Sequence, residues 1–94
     1  MFKSVDKLTK GSIVLSAAGH DKGFCFAVID MIDENTALIA DGRRRKLISP
    51  KKKNTKHLLL LGKIPADVSS LSNKALYAAI RDACRSVATD NAKQ

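Results

Sequence analysis

Aromatic residues are scarce in this chain. Of its 94 residues none is tryptophan, three are phenylalanine and one is tyrosine. Phe24 and Phe26 lie in an apolar run that predicts burial, and Tyr77 lies in a predicted helix. Proteins that read unpaired bases usually stack them on exposed aromatic rings. The sequence therefore argues against sequence-specific recognition of a single strand.

The motifs of the common enzyme classes are also missing. The chain has no Gly-x-Ser-x-Gly, no His-Glu-x-x-His and no glycine loop of the Walker type. Among its nine acidic residues, only Asp33 and Glu34 are adjacent, and they lie in a predicted turn. We therefore expect a protein that is not an enzyme, with no catalytic residue, no cofactor and no small-molecule substrate.

The cysteines and the apolar segments exclude further kinds of site and location. Cys25 and Cys84 lie far apart, with no Cys-x-x-Cys pair and no histidine at ligand spacing, so we expect no metal site and two small buried thiols. A disulfide between them would need an oxidising compartment. The sequence has no apolar run of about 20 residues, and residues 1–4 lack the pattern of a signal peptide. The expected partners thus exclude a membrane, and the expected location is the cytoplasm.

Positive charge, by contrast, is concentrated in one stretch. The chain has 17 basic and 9 acidic residues, a formal net charge of +8. Eight of the basic residues and no acidic one lie at positions 43–57, the basic segment, which leaves 17 − 8 = 9 basic residues to balance the 9 acidic ones elsewhere. Such a strip attracts polyanions and releases their counterions on contact. Apolar segments flank it on both sides, so we expect an ordered site and not a disordered tail.

Turn signals between residues 13 and 64 predict a small all-β domain. We expect five strands, at residues 13–17, 24–32, 37–40, 43–48 and 55–64. The second of them is apolar on both faces, with Phe24, Phe26 and Val28 on one face and Met31 on the other, as in a strongly curved sheet. Five short strands in about fifty residues predict an SH3-like barrel.

The third and fourth strands are predicted to form a hairpin. Asp41-Gly42 is a two-residue turn signal of type I′, which makes residues 43–48 the return strand and residues 51–54 a basic loop. In that register Leu47 faces the core, whereas Arg44 and Lys46 face outward.

After Pro65 the residue types and their spacing favour a helix. Ser70 or Ser72 can cap a helix of about 15 residues, followed by a frayed end at 90–94. Its apolar stripe consists mostly of small residues, which favours shallow docking on the barrel over a free interaction helix; the stripe comprises Leu76, Ile80, Ala83, Cys84 and Val87. We therefore expect a mainly β fold, with a barrel at 1–65 and a C-terminal α-helix within 66–94.

The region from Gly11 to Asp30 resembles a KOW motif. Gly19 and Gly23 enclose three residues, with Lys22 before the second glycine and a valine-containing strand behind it. The Asp41-Gly42 pair and the sequence Lys56-His57-Leu58 extend the resemblance over about residues 10–61. Together they resemble the KOW-containing large-subunit ribosomal protein fourteen of archaea and eukaryotes, and its short bacterial relatives described as KOW-domain RNA-binding proteins.

This resemblance implies an SH3-like barrel that binds structured, often ribosomal, RNA through its loops. Backbone N–H groups of the glycine-containing loop would approach phosphates closely. The alternative to RNA contact for His20 is a solvated or turn-stabilising imidazole. The alternative for His57 is packing at the edge of the barrel. The predicted RNA-binding residues are Gly19, His20, Lys22, Gly23, Arg43, Arg44, Arg45, Lys46, Lys51, Lys52, Lys53, Lys56 and His57.

Charge and resemblance together predict a module that grips the phosphate backbone of folded RNA, with ribosomal RNA or the large ribosomal subunit as its partner. One alternative is a protein-interaction module that docks on an acidic surface of the ribosome or the transcription machinery. A binder of duplex DNA is the third hypothesis.

Overall fold

A computed structural model describes residues 8–64 and 67–92 of the chain. The elements are β1 (Ser12–Ser16), β2 (Cys25–Asp33), β3 (Thr36–Ala40), β4 (Lys51–Asn54), a 3₁₀ turn (Thr55–His57), β5 (Leu58–Lys63), a second 3₁₀ turn (Val68–Ser70) and α1 (Asn73–Ala92). The strands pair antiparallel in the order β4-β3-β2-β1-β5. The predicted mainly β fold with five strands and a C-terminal helix is confirmed, and its sheet is consistent with a small barrel.

Apolar residues on both faces of β2 build two cores. Phe26 and Val28 pack on one face, and Ala27 packs on the other. This burial of both faces confirms the prediction, but Met31 lies on the face of Val28 and not on the opposite one. Bulges in the pairing of β2 with β3 shift the register of β2. As a result Val28 pairs with Ile39 and Met31 pairs with Ala37, and Ile39 and Ala37 lie on the same face of β3.

The helix covers the Ala27 face of the sheet. Ser72 caps it, because its Oγ accepts a hydrogen bond from the Ala75 amide at 3.1 Å. Leu76 and Ile80, one turn apart, are buried against the sheet, so α1 packs on the strands as a docked helix. None of the helices in the described part of the chain is long and apolar enough to cross a membrane.

The helix is longer than predicted, at 20 residues. Of the predicted frayed end at 90–94, residues 90–92 are helical and residues 93–94 lie outside the described residues. The side chain of Val87, the last residue of the predicted stripe, also lies outside them, as do residues 1–7, 65 and 66 at the limits of the predicted barrel.

The connection between β3 and β4 departs from the prediction. No strand forms at 43–48, and the predicted basic loop at 51–54 is instead strand β4, paired with β3. Asp41 explains the difference, since its Oδ1 accepts hydrogen bonds from the amides of Arg43 and Arg45, both at 2.9 Å. A carboxylate that satisfies nearby amides in this way competes with a strand ladder. Residues 41–50 therefore form a wide loop, which we call the 41–50 connection.

The helix start holds this connection in place. Gly42 has a φ of +83°, and a Cβ at this position would overlap the backbone carbonyl of Asn73. The side chain of Asn73 in turn accepts a hydrogen bond from the Leu47 amide at 2.8 Å. Leu47 is half-buried against the core between the sheet and α1, so its predicted inward orientation holds although its predicted strand does not. The predicted fifth strand, 55–64, begins with the 3₁₀ turn and becomes β5 only at Leu58.

Candidate functional site

The basic segment is distributed over three elements. The 41–50 connection carries Arg43 to Lys46, β4 carries Lys51 to Lys53, and the 3₁₀ turn carries Lys56. Side chains alternate along β4, so Lys51 and Lys53 share one side and Lys52 points to the other. The exposed cations of the segment are Arg43, Arg44, Lys46, Lys52 and Lys56.

Asp21 fastens the loop between β1 and β2 (residues 17–24, the glycine loop) to β4. Its Oδ1 lies 2.8 Å from Lys53 Nζ, and its Oδ2 lies 3.1 Å from Lys51 Nζ. Ser16 Oγ donates a further hydrogen bond to Oδ1 at 2.8 Å. Lys53 Nζ also donates to the carbonyl oxygen of Ala18 at 2.8 Å, so β4 holds the glycine loop at two points.

This arrangement keeps Asp21 ionised. Burial by itself raises the pKa of Asp21, but the hydrogen bonds from Lys53, Ser16 and Lys51 outweigh that effect and hold the pKa well below its usual range. The side chains of Asp21 and Lys53 are both only 10% exposed. The structure thus brings the glycine loop together with Lys51 and Lys53, and gives these two lysines an internal partner that offsets one of their two charges.

The glycine loop is closed by its own backbone. Gly23 has a φ of +90°, and its amide donates to the Ser16 carbonyl at 2.8 Å. The amides of Lys22 and Phe24 donate to the carbonyls of Gly19 and Asp21. These three N–H groups are therefore already hydrogen-bonded within the protein, which argues against their predicted use in phosphate binding. The side chains of His20 and Lys22 are exposed on the outside of the loop.

The 3₁₀ turn borders the surface on another side. Lys56 is exposed, whereas His57 is half-buried and its carbonyl accepts from the Ala17 amide at 2.8 Å. Thr55 Oγ1 donates to the Glu34 carbonyl at 3.4 Å, which places the exposed acidic turn of β2 and β3 beside this end of the basic segment. We call the five exposed cations of the basic segment the cationic surface, and we expect Lys56 to lie at its limit.

An unpredicted pocket lies between the start of β2, the 41–50 connection and α1. It has a volume of about 480 Å³ and we call it the arginine pocket. Gly23 lines it as well, so the pocket is continuous with the glycine loop. Its principal lining residues are Phe24, Asp41, Arg43, Arg44, Tyr77 and Arg81.

Two arginines of the pocket lie over aromatic rings. The guanidinium carbon of Arg44 lies 3.8 Å from the centroid of the Phe24 ring, and that of Arg43 lies 5.2 Å from the Tyr77 ring. Arg43 Nη1 also donates to the Tyr77 hydroxyl at 3.0 Å. Phe24 is 39% exposed, so its predicted burial, and the absence of an exposed aromatic surface inferred from it, are wrong.

One signal in the sequence could have indicated this pocket. Tyr77, Arg81 and Cys84 follow the i, i+4, i+7 spacing of one helix face. The contact of that face with Phe24 and the arginines, however, depends on how α1 packs across β2.

The two cysteines meet in the wall of the arginine pocket. Their Sγ atoms are in direct contact, and both side chains are free thiols that are half-buried, less buried than expected. Burial, together with the neighbouring Cys84 thiol, raises the pKa of Cys25 to about 12. Cys25 is therefore a protonated, weakly nucleophilic thiol.

No protein-family model matches this chain, and no curated protein matches it. The resemblance to KOW proteins stays a prediction from the residues that carry it.

Proposed function

We propose that this chain is a non-enzymatic RNA-binding module that holds the phosphate backbone of folded RNA. The observation that carries the proposal is the set of five exposed cations on the 41–50 connection, β4 and the 3₁₀ turn. Asp21 and Asp41 are both engaged within the protein, the first by Lys51 and Lys53 and the second by loop amides. The exposed positive charge is thus available to an external polyanion.

Part of this surface is ordered before any partner binds. The rings of Phe24 and Tyr77 contact the guanidinium groups of Arg44 and Arg43. The Asp41 carboxylate fixes the backbone of Arg43 by accepting a hydrogen bond from its amide. Ordering long side chains in advance reduces the conformational entropy lost on binding. Guanidinium groups suit phosphate because they donate two parallel hydrogen bonds.

Folded RNA is the partner that the surface and the sequence favour together. The exposed cations lie on three different elements, which suits a partner that is recognised by its backbone and shape at several points. The resemblance of residues 10–61 to KOW proteins favours ribosomal RNA within the large subunit as that partner, and hence a ribosome-associated, cytoplasmic protein.

A pair of matched double variants tests the proposal. Arg44→Gln with Lys52→Gln removes two charges from the surface, and Lys10→Gln with Lys63→Gln removes two exposed charges outside the basic segment. We expect the first double variant to lower the affinity for a folded ribosomal RNA fragment at least about tenfold, and the control about threefold or less. Affinities are measured by filter binding, with duplex DNA of equal length as the competing ligand.

Two results would reject the proposal. Equal losses in the two double variants would mean that net charge, and not this surface, determines binding. A wild-type protein that binds neither RNA nor DNA at low salt would favour the protein-interaction alternative.

A further inference from the structure

The arginine pocket combines stacking surfaces with positive charge. Three guanidinium groups and the Asp41 carboxylate line it, which leaves a formal charge of 3 − 1 = +2. Its volume of about 480 Å³ lies in the range of about 300–1,000 Å³ that is usual for pockets that bind small ligands. Planar arginine and aromatic groups beside a net positive charge suit a ligand that is both flat and anionic.

We propose that the arginine pocket binds one unstacked nucleotide of the RNA, an inference that rests on the proposed function. The base stacks on the outward face of the Arg44 guanidinium, whose inner face is covered by Phe24. Arg81, exposed on α1 at the pocket wall, binds the phosphate of that nucleotide. A purely paired RNA offers no base to this pocket, so the RNA must contain a bulge or an unpaired loop.

The pocket lies beside the residues that are proposed to contact the RNA backbone. Gly23 lines the pocket and closes the glycine loop, and Arg43 and Arg44 belong to both the pocket and the exposed cationic surface. A nucleotide in the pocket therefore leaves the neighbouring phosphates beside these cations. The Oδ1 of Asp41 is bound by two loop amides, and the three arginines exceed its single negative charge, so the pocket stays positively charged.

The test compares two RNA hairpins of equal length, one fully paired in its stem and one with a single bulged 2-aminopurine. We expect the bulged hairpin to bind more tightly, and the 2-aminopurine fluorescence to fall on binding as the base stacks. Phe24→Leu keeps an apolar side chain but removes the ring beneath Arg44. We expect it to weaken binding of the bulged hairpin by about 5- to 100-fold and binding of the paired hairpin clearly less, because Arg44 keeps its charge.

Two further variants make the result independent of folding. Arg81→Gln changes an exposed helix residue and should also weaken binding of the bulged hairpin selectively. Ile48→Ala, in the same connection but 91% exposed and outside the pocket, should change neither affinity. If Phe24→Leu lowers the melting temperature strongly, Arg81→Gln decides the test.

The outcomes separate the pocket from the proposed function. Equal affinity for both hairpins, with no selective loss in Arg81→Gln, overturns the pocket proposal and leaves RNA binding intact. No binding of either hairpin overturns both. Adenosine monophosphate in millimolar excess should not displace the bulged hairpin, and complete displacement would assign the pocket to a free nucleotide and overturn its role as an RNA site.

Discussion

Replacement of Asp21 by asparagine tests the connection between the glycine loop and β4. The variant removes the carboxylate that pairs with Lys53 and Lys51 and leaves the ammonium of Lys53, whose side chain is 10% exposed, without its counter-charge. Loss of one partner of a buried ion pair costs about 3–5 kcal/mol, and the partial exposure of Lys51 reduces this figure. We expect the free energy of unfolding to fall by about 2–4 kcal/mol at neutral pH.

The effect of Asp21 should depend on pH with a defined sign. Its pKa is depressed in the folded protein, so its contribution to stability is complete well above the unfolded pKa of about 3.9. As pH falls below that value, the unfolded chain takes up a proton that the folded chain does not, and the contribution decreases. The difference between wild type and Asp21→Asn should therefore be smaller at about pH 3 than at pH 7, by roughly 1 kcal/mol.

Urea unfolding at both pH values measures this difference. Asp82→Asn, which changes an exposed carboxylate on α1, is the matched control and should alter stability by less than about 0.5 kcal/mol. Equal stability of Asp21→Asn and wild type at pH 7, or a difference that does not change with pH, would refute the reasoning.

Three further variants or reactions test other parts of the structure. Gly42→Ala places a methyl group against the Asn73 carbonyl and should lower stability by about 1–3 kcal/mol in thermal melts, and an unchanged melting temperature would contradict the close approach. Leu47→Ala removes a half-buried side chain and should lower the urea midpoint by an amount equivalent to about 1–2 kcal/mol, whereas no change would place Leu47 in solvent. The raised pKa of Cys25 predicts that iodoacetamide at pH 8 alkylates it at least about tenfold more slowly in the folded protein than in urea. Mass spectrometry measures both rates, and equal rates would contradict the raised pKa.

The parts of the fold that the sequence predicted correctly are those determined by local pattern. The apolar run of β2 predicted burial on both faces, and Ser72 and the Leu76–Ile80 spacing predicted a capped, amphipathic helix. These features depend on periodicity and capping, which a few adjacent residues establish.

The connection after β3 could not be predicted in this way. Asp41-Gly42 is a hairpin signal, but the carboxylate of Asp41 binds two amides and Gly42 packs against the helix start, which lies about thirty residues away. Lysine also has a low strand propensity, so the sequence of Lys51 to Lys53 favours a loop. The strand is stabilised by pairing with β3 and by ion pairs to Asp21, which the local sequence does not indicate.

The candidate site was likewise predicted only in part. Charge density identified the basic segment, but the internal pairing of Lys53 and the stacking of Arg44 on Phe24 arise from contacts between distant parts of the chain. No single-sequence pattern carries such contacts.

The salt dependence of RNA affinity tests the central claim most directly. If the five exposed cations of the basic segment each neutralise a phosphate, the logarithm of the binding constant should fall with the logarithm of the salt concentration at a slope of roughly −3.5 to −4.5. Titration of a labelled ribosomal RNA fragment at several potassium chloride concentrations measures this slope. A value in that range would support backbone recognition by the cationic surface, and a slope shallower than about −2 would contradict it.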